Sequence, residues 1–232
     1  MKVLPKFSFS KKIYGKNTSV LIFIFPHWKS KKYYYWYLTK KLSKKYKVVL
    51  YNYSSSLLSS DIKNVKNNFK FIVEDTNKSI REIRKEGHSD IVLIGFSLGS
   101  MITYMIARKN TSPVKIINIS AISNFAKNIW CSNKTRRIKK NLIEKGVTLE
   151  NLEKEWKELS PMYEMRSISA DSKIVLSDKD IVACYQLGLD LIEKFKRIGR
   201  SPSAIKHRYL SHELLLLLYF FKTDYIFKFL KK

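Results

Sequence analysis

Short runs of apolar and β-branched residues alternate along this chain with longer segments in which apolar residues recur at helical spacing. Near-continuous apolar runs such as "VLIFIF" and "IVLIG" are typical of strands covered on both faces, as in a parallel sheet. The pattern predicts strands at 20–25, 48–53, 91–95, 114–119, 173–177 and, more weakly, 204–209. It predicts helices at about 30–45, 61–86, 98–110, 183–199 and 212–230. This alternation indicates an α/β fold with a doubly wound, mostly parallel sheet.

The segment from about 121 to 168 is longer than one crossover helix requires. Its middle, "KTRRIKKNLIEKGVTLENLEKEWKELSP", has the pattern of two charged amphipathic helices broken at Gly146. We predict a small helical cap over the carboxyl ends of the strands, where open α/β sheets place their sites. A structural decoration that touches no ligand is the alternative. The 232 residues otherwise fit a single domain, 1–232.

The chain carries 45 basic and 19 acidic residues, a formal charge of +26. Only nine of the basic residues are Arg, and the 36 Lys are spread along the whole sequence. Nucleic-acid-binding proteins concentrate positive charge on one face and use Arg for bidentate contacts. We therefore expect no specific nucleic-acid partner. A compositional bias is the favoured explanation over a polyanion site, with weak association to anionic surfaces at low salt.

Cys131 and Cys184 stand in no metal-ligand spacing, and we expect free thiols in a reducing, cytoplasmic environment. The N-terminal "MKVLPKFSFSKK" has no apolar core of a secretory signal. Near the other end, the apolar run 214–221 is only eight residues long. That is too short for a membrane span of about 20 residues. A helix buried against the sheet is favoured, and surface attachment through an apolar face is the alternative.

The stretch "GFSLG" follows a predicted strand and precedes a predicted helix. A serine on such a sharp turn is held in a strained backbone conformation that lifts its hydroxyl clear of the sheet. Gly95 and Gly99 flank Ser97 because a β-carbon at either position would clash. The turn also aims the Leu98 N–H and the helix N-terminus at one point. This context predicts a nucleophile elbow.

The chain resembles the α/β-hydrolases over about residues 20–230. The family order is serine, then an acid after the next-to-last core strand, then a histidine after the last. The stretches "GFSLG", "KIVLSDKDIV" and "KHRYLSHELLL" supply these in order. A serine hydroxyl needs a base to attack a carbonyl carbon, and a histidine oriented by a carboxylate can take and return the proton.

The resemblance implies His212 as the base, because it follows the last strand and opens the C-terminal helix. His207 lies inside the predicted strand, and His88 lies in a turn before the elbow strand, so neither is favoured. For the acid we favour Asp180, in the third position past the turn and followed by an apolar pair. Asp178 is interpreted as a solvated loop charge or a helix cap.

The resemblance also implies an oxyanion hole formed by the Leu98 N–H and a donor from the loop "FPHWKSKK". Family members often carry His-Gly there, whereas this chain has His27-Trp28. We take the Trp28 backbone as the second donor and interpret His27 as a residue that structures the loop. A missing donor costs about 10² to 10³ in rate, so this departure affects catalytic power more than fold.

Taken together, these residues predict a serine hydrolase for small-molecule esters or thioesters, acting through an acyl-enzyme on Ser97 with Asp180 and His212. Neither a cofactor nor a metal is expected, because no phosphate-binding loop or zinc pattern is present. An acyltransferase with the same triad and a non-catalytic hydrolase-fold scaffold are the alternatives. The run "YYYWY", 33–37, is expected to pack in the core, with an acyl pocket as its alternative role.

Overall fold

The computed structural model describes residues 6–16, 18–85, 87, 90–110, 114–165, 168 and 171–230. These residues contain a seven-stranded sheet in the order β1-β3-β2-β4-β5-β6-β7. The strands are β1 (Phe9–Tyr14), β2 (Val20–Phe25), β3 (Lys47–Tyr53), β4 (Asp90–Phe96), β5 (Lys115–Ile119), β6 (Asp171–Ser177) and β7 (Ser203–His207). β2 to β7 pair in parallel, and β1 alone pairs antiparallel, with β3. The prediction of a mostly parallel α/β sheet is confirmed.

All six predicted strands are present, and β1 is the one that the hydrophobic pattern missed. It reads "FSKKIY", and four of its six residues are exposed. A strand at the edge of a sheet can expose both faces, and lysines there discourage pairing with other chains. Such a strand has no buried face, so it leaves no alternating apolar signal in the sequence.

Nine α-helices lie in the described part of the chain. They are α1 (Trp36–Leu42), α2 (Ile62–Lys85), α3 (Gly99–Lys109), α4 (Phe125–Cys131), α5 (Arg136–Glu144), α6 (Leu149–Glu155), α7 (Tyr185–Arg197), α8 (His212–Phe221) and α9 (Asp224–Leu230). The predicted C-terminal helix is thus two helices, separated at Lys222 and Thr223. None of the described helices is long and apolar enough to cross a membrane.

The insertion holds three α-helices, α4 to α6. The two helices predicted for its middle are present as α5 and α6, and α4 precedes them. The break between α5 and α6 does fall at Gly146, whose φ of 73° is the left-handed conformation that glycine tolerates. The insertion packs back on the domain: Phe125 stacks on Trp156, and the Trp156 indole donates to the Ile62 carbonyl at the start of α2. Its role as a substrate-selecting cap stays a prediction.

Side chains alternate between the two faces of the sheet and fill two separate cores. Along β2, Leu21, Phe23 and Phe25 belong to the core beneath α2, α3, α7 and the insertion. Ile22 and Ile24 belong to the opposite core beneath α1, α8 and α9. Because β2 to β7 are parallel, their carboxyl ends meet along one edge between these layers, and the loops that follow them converge there.

The two cysteines form a disulfide between the last residue of α4 and the residue before α7, with Cα atoms 6.5 Å apart. The expectation of two free thiols is therefore wrong. Sequence spacing could not reveal the pair, because 53 positions separate Cys131 from Cys184 and only the fold brings them together. The predicted cytoplasmic location stays a prediction, one that this bond does not support.

Candidate active site

Ser97 stands on the turn between β4 and α3, with a φ of 51° that a serine rarely adopts. Its N–H donates to the Ile119 carbonyl at 2.8 Å, which ties the turn to the end of β5. A β-carbon on Gly95 would lie 2.5 Å from Asn118 Oδ1, and one on Gly99 would collide with the Phe25 carbonyl. Only glycine therefore fits on either side of this serine.

Asp180 and His212 meet at the carboxyl ends of β6 and β7. Asp180 follows β6, and His212 is the first residue of α8, whose N-cap Ser211 accepts the Leu214 N–H. His212 Nδ1 lies 3.0 Å from Asp180 Oδ1 and 2.9 Å from Oδ2. Both side chains are buried, at 6% and 4% exposure. The fold thus places the acid and the base that the sequence proposes in direct contact.

Asp180 is ionised in this setting. Burial acts to raise the pKa of its carboxyl, but the hydrogen bond and charge of His212, the Ser120 hydroxyl and the Ala183 N–H outweigh burial and hold that pKa below its ordinary value. The Val182 and Ala183 N–H groups donate to Oδ1 at 3.0 and 2.8 Å. A buried carboxylate with this many donors is fixed in both charge and orientation.

Ser120 is a site residue that the sequence reasoning missed. Its hydroxyl donates to Asp180 Oδ2 at 2.5 Å and lies 3.0 Å from His212 Nδ1. It follows β5 directly, is fully buried, and has a φ of 60°. The available signal was its position: β5 lies between β4 and β6 in the sheet, so the residue after it must lie between the elbow and the acid.

These contacts determine which His212 nitrogen carries the proton. An ionised carboxylate only accepts hydrogen bonds, so Nδ1 must be the donor to Asp180. In the neutral ring, Nε2 is then left with its lone pair. Asp180 and Ser120 therefore orient the tautomer in which the imidazole can accept a proton from another group.

Ser97 and His212 line one cavity of about 450 Å³. Its wall is mostly apolar, with Trp28, Tyr34, Val182, Leu216, Leu217 and Phe220. Ser97 is 6% exposed, so its hydroxyl is enclosed but reachable from this cavity. No hydrogen bond joins the two residues in this arrangement. Hydrogen bonds of this kind are often long in ligand-free enzymes and tighten when a substrate binds.

The two predicted oxyanion donors form no hydrogen bond with described residues. Neither the Leu98 nor the Trp28 N–H donates to any group in the described ranges. Trp28 lies on a turn closed by the Ser30 N–H and the His27 carbonyl, and its indole donates to the Ser55 carbonyl at 2.8 Å. The left-handed conformation that a glycine would supply is adopted by Lys29, with a φ of 59°. The loop thus makes its turn without glycine.

His27 is held in its neutral form beside the cavity. The Tyr35 hydroxyl accepts the His27 N–H at 3.0 Å and lies 2.8 Å from its Nδ1. Burial, with a smaller effect of the His212 charge, lowers the pKa of His27 to about 4, and Glu213 opposes this weakly. Because burial also keeps the pKa of Tyr35 well above its ordinary value, the phenol keeps its proton for Nδ1. His27 therefore carries its own proton on Nε2.

The remaining candidates have structural partners. His207 Nε2 bonds the Tyr219 hydroxyl at 2.9 Å, and Asp178 Oδ1 accepts the Tyr209 N–H at 2.9 Å. His88 lies outside the described residues. In the aromatic run 33–37, Tyr35 alone is fully buried in the core, whereas Tyr33, Tyr34 and Trp36 are exposed, so the expectation of core packing is wrong for most of the run. Tyr34 lines the cavity. Across the described ranges, no three His, Cys, Asp or Glu side chains cluster as metal ligands would.

Comparison with known proteins was informative at the level of structure. Neither a family model nor a curated protein sequence matches this chain. An esterase from Exiguobacterium antarcticum matches with a TM-score of 0.63 at 12% identity, over 97% of this chain and 96% of the esterase. A carboxylesterase of the thaumarchaeon Nitrososphaera gargenis matches at 0.59 and 14% identity, over 97% and 94%.

The acylaminoacyl peptidase of Pyrococcus horikoshii matches with a TM-score of 0.70 at 15% identity. All of this chain is covered, but it spans only 42% of that peptidase. The seven-stranded, mostly parallel sheet with its helices agrees with these neighbours in overall architecture. The chain therefore has the α/β-hydrolase fold.

Proposed function

We propose that this protein is a serine hydrolase that cleaves carboxylic esters or thioesters through an acyl-enzyme on Ser97. The observation that carries the proposal is the hydrogen-bonded cluster of Asp180, Ser120 and His212, which leaves His212 Nε2 available on the same cavity as Ser97. The N–H groups of Leu98 and Trp28, with no protein partner among the described residues, are the second support.

In the first half-reaction, Ser97 Oγ attacks the carbonyl carbon of the substrate while His212 Nε2 takes the hydroxyl proton. The negative charge that develops on the carbonyl oxygen is stabilised by the Leu98 and Trp28 N–H groups. Asp180 stabilises the imidazolium without taking a proton. The bond to the leaving oxygen or sulfur then breaks, the leaving group receives the proton from Nε2, and the acyl-enzyme remains.

In the second half-reaction, water replaces the leaving group. His212 Nε2 takes a proton from water, whose oxygen attacks the acyl carbon. The bond to Ser97 Oγ breaks, the serine recovers its proton from the imidazolium, and the carboxylic acid is released. The apolar wall of the cavity, formed by residues such as Leu216, Leu217 and Phe220, suits an acyl chain on the acid side of the substrate.

The proposal is tested by covalent labelling with a fluorophosphonate, which reacts only with an activated serine. The native protein should be labelled at Ser97, and Ser97→Ala and His212→Ala should not react. Ser123→Ala is the matched control, because the Ser123 hydroxyl is buried without a hydrogen-bond partner among the described residues. Folded wild-type protein that stays unlabelled would refute the hydrolase proposal and favour a binding protein with this fold.

The choice of substrate is then tested with chromogenic esters and thioesters of increasing acyl length. We expect kcat/KM to rise with chain length until the cavity of about 450 Å³ is filled and to fall beyond it. Leu217→Trp, which narrows the cavity, should shift the optimum to shorter chains. An optimum that does not move in this variant would contradict acyl binding in this cavity.

A further inference from the structure

A second, larger depression of about 750 Å³ adjoins the cavity that holds Ser97. Trp28, Lys29 and Lys134 line both spaces, so the two are immediate neighbours. We call this second space the basic groove. It lies between α2 and α5, at the edge where the strands end. The loop after β3 and the segment before β1 close its remaining sides, with Ser55 and Lys6 among their contributions.

The two helices present matched faces to the groove. From α2 the lining residues are at 64, 67, 68 and 71. From α5 they are at 137, 138 and 141, and residue 134 in the 3-10 turn just before α5 extends this face. Both sets have the spacing i, i+3, i+4 and i+7, which is one face of a helix. The groove is therefore bounded by continuous helix faces that project these side chains toward each other.

The charges on the groove are of one sign. Its cations are Lys6, Lys29, Lys134 and Arg137, and no Asp or Glu side chain in the described ranges lines it. Lys134 is neutralised by Glu213 at 3.1 Å. The other three form no ion pair with a described carboxylate, although Lys29 Nζ stands 4.3 Å above the Trp28 ring. Like charges gathered in a depression favour an anionic ligand.

Neutral donors and one aromatic ring complete the lining. Asn67 and Asn141 have no hydrogen-bond partner among the described residues, so their amides are available. The nearby carboxylate of Asp61 is already engaged by Asn64, at 3.0 and 2.7 Å. Phe71 is 57% exposed at the groove, an unusual exposure for a phenylalanine and a suitable surface for a planar ring.

We propose that the basic groove binds the leaving group of the substrate and that this leaving group carries phosphate. The inference rests on the proposed function, because it assigns the cavity beside Ser97 to the acyl chain. The substrate class is then an acyl ester or thioester of a phosphorylated alcohol or thiol. Three of the lysines that are spread along the sequence, Lys6, Lys29 and Lys134, thus lie together in one groove beside Ser97.

Binding is tested first without chemistry, on Ser97→Ala protein, by calorimetry with free coenzyme A and with pantetheine, its unphosphorylated counterpart. We expect coenzyme A to bind at least about tenfold more tightly, and to weaken as NaCl rises from about 50 to about 300 mM. Arg137→Gln and Lys6→Gln should each weaken coenzyme A about fivefold and leave pantetheine unchanged. Arg136→Gln is the matched control, since Arg136 is exposed on α5 but does not line the groove.

Turnover is tested second, with two substrate pairs that are identical at the reacting bond. One pair is hexanoyl-coenzyme A and hexanoyl-pantetheine, and the other is a monoacyl glycerol phosphate and the corresponding monoacylglycerol. We expect a higher kcat/KM for the phosphorylated member of at least one pair, and the loss of that preference in Arg137→Gln. The pair that shows the preference identifies a nucleotide-bearing thiol or a lipid headgroup as the source of the phosphate.

Equal binding of coenzyme A and pantetheine, together with no preference for the glycerol phosphate ester, would overturn the groove proposal, as would equal effects of Arg136→Gln and Arg137→Gln. Equal kcat/KM within both pairs would also overturn it, while leaving the hydrolase function intact. Failure of the hydrolase function has a separate signature: no labelling of Ser97 and no turnover of any substrate. In that case calorimetry on Ser97→Ala protein, with coenzyme A against pantetheine and with glycerol phosphate against glycerol, still tests the groove.

Discussion

The Ser120 hydroxyl is the contact whose removal tests the geometry of the site most directly. Ser120→Ala deletes the 2.5 Å hydrogen bond to Asp180 Oδ2 and leaves the other three donors, from His212, Val182 and Ala183, in place. Because the lost bond favours the charged carboxylate, the pKa of Asp180 should rise. Ser120 acts through Asp180 and His212, so it is a positioning residue.

The size of the effect follows from the charge on the acceptor. A hydrogen bond to a charged group contributes about 1.5–3 kcal/mol. If this contribution holds the carboxylate in the orientation that aligns His212, its loss slows reaction by about tenfold to a hundredfold. The three remaining donors keep the carboxylate solvated, so we expect the lower end, about ten- to thirtyfold.

The assay is the second-order rate of fluorophosphonate labelling, and kcat/KM for a chromogenic ester, across pH. The acid limb of both profiles should move to higher pH in Ser120→Ala. Ser120→Gly should show the same rate loss as Ser120→Ala. It should be more stable than Ser120→Ala by about 1 kcal/mol, because glycine adopts a φ of 60° without strain. Ser123→Ala should behave as wild type. Rates within about twofold of wild type, with an unmoved profile, would refute the reasoning.

Three further predictions concern stability. The pKa of His27 is about 4 in the folded protein against an ordinary 6.5, so the unfolded chain binds more protons between these pH values. The free energy of unfolding should therefore be constant above pH 6.5 and fall by up to about 3 kcal/mol toward pH 4. Urea titration should show a smaller pH dependence in His27→Gln. Reduction of the disulfide, which closes a loop of 53 positions, should cost about 4 kcal/mol and lower Tm by about 10 °C, whereas Cys131→Ser should not respond to reductant. Gly99→Ala should lower the free energy of unfolding by at least about 3 kcal/mol, because its β-carbon would collide with the Phe25 backbone. Gly146→Ala, in open space with a φ of 73°, should lower it by only about 1 kcal/mol. Equal losses in the two variants would contradict the clash.

The elements with a buried face were predictable, because burial leaves a pattern of apolar residues. The five central strands, β2 to β6, and the elbow at Ser97 were found for this reason, whereas β1 was missed because four of its six residues are exposed. The edge strand β7, which has no fully buried residue, was predicted only weakly. The break between α8 and α9 was missed because apolar residues continue on both sides of Lys222. A hydrophobic pattern indicates which segments are buried but does not indicate a turn inside a buried segment.

In the site, Asp180 and His212 were located by the order of serine, acid and histidine along the chain. Their direct contact exists only in the folded protein. Ser120 and the disulfide were not predictable in the same way. A serine after an apolar strand is common, and its role depends on the strand order β4-β5-β6. Equally, Cys131 and Cys184 belong to segments whose proximity depends on where the insertion packs.

The disulfide has a mechanical consequence for the insertion. Cys184 closes the loop that carries Asp180, so the end of α4 is covalently anchored four residues from the acid. The insertion therefore cannot lift away as a rigid lid, because this covalent anchor adds to the burial of Leu142, Leu152 and Trp156 in the main core. The wall beside the carboxylate is thereby tied to the insertion, so a change at α4 is transmitted to the loop that orients His212.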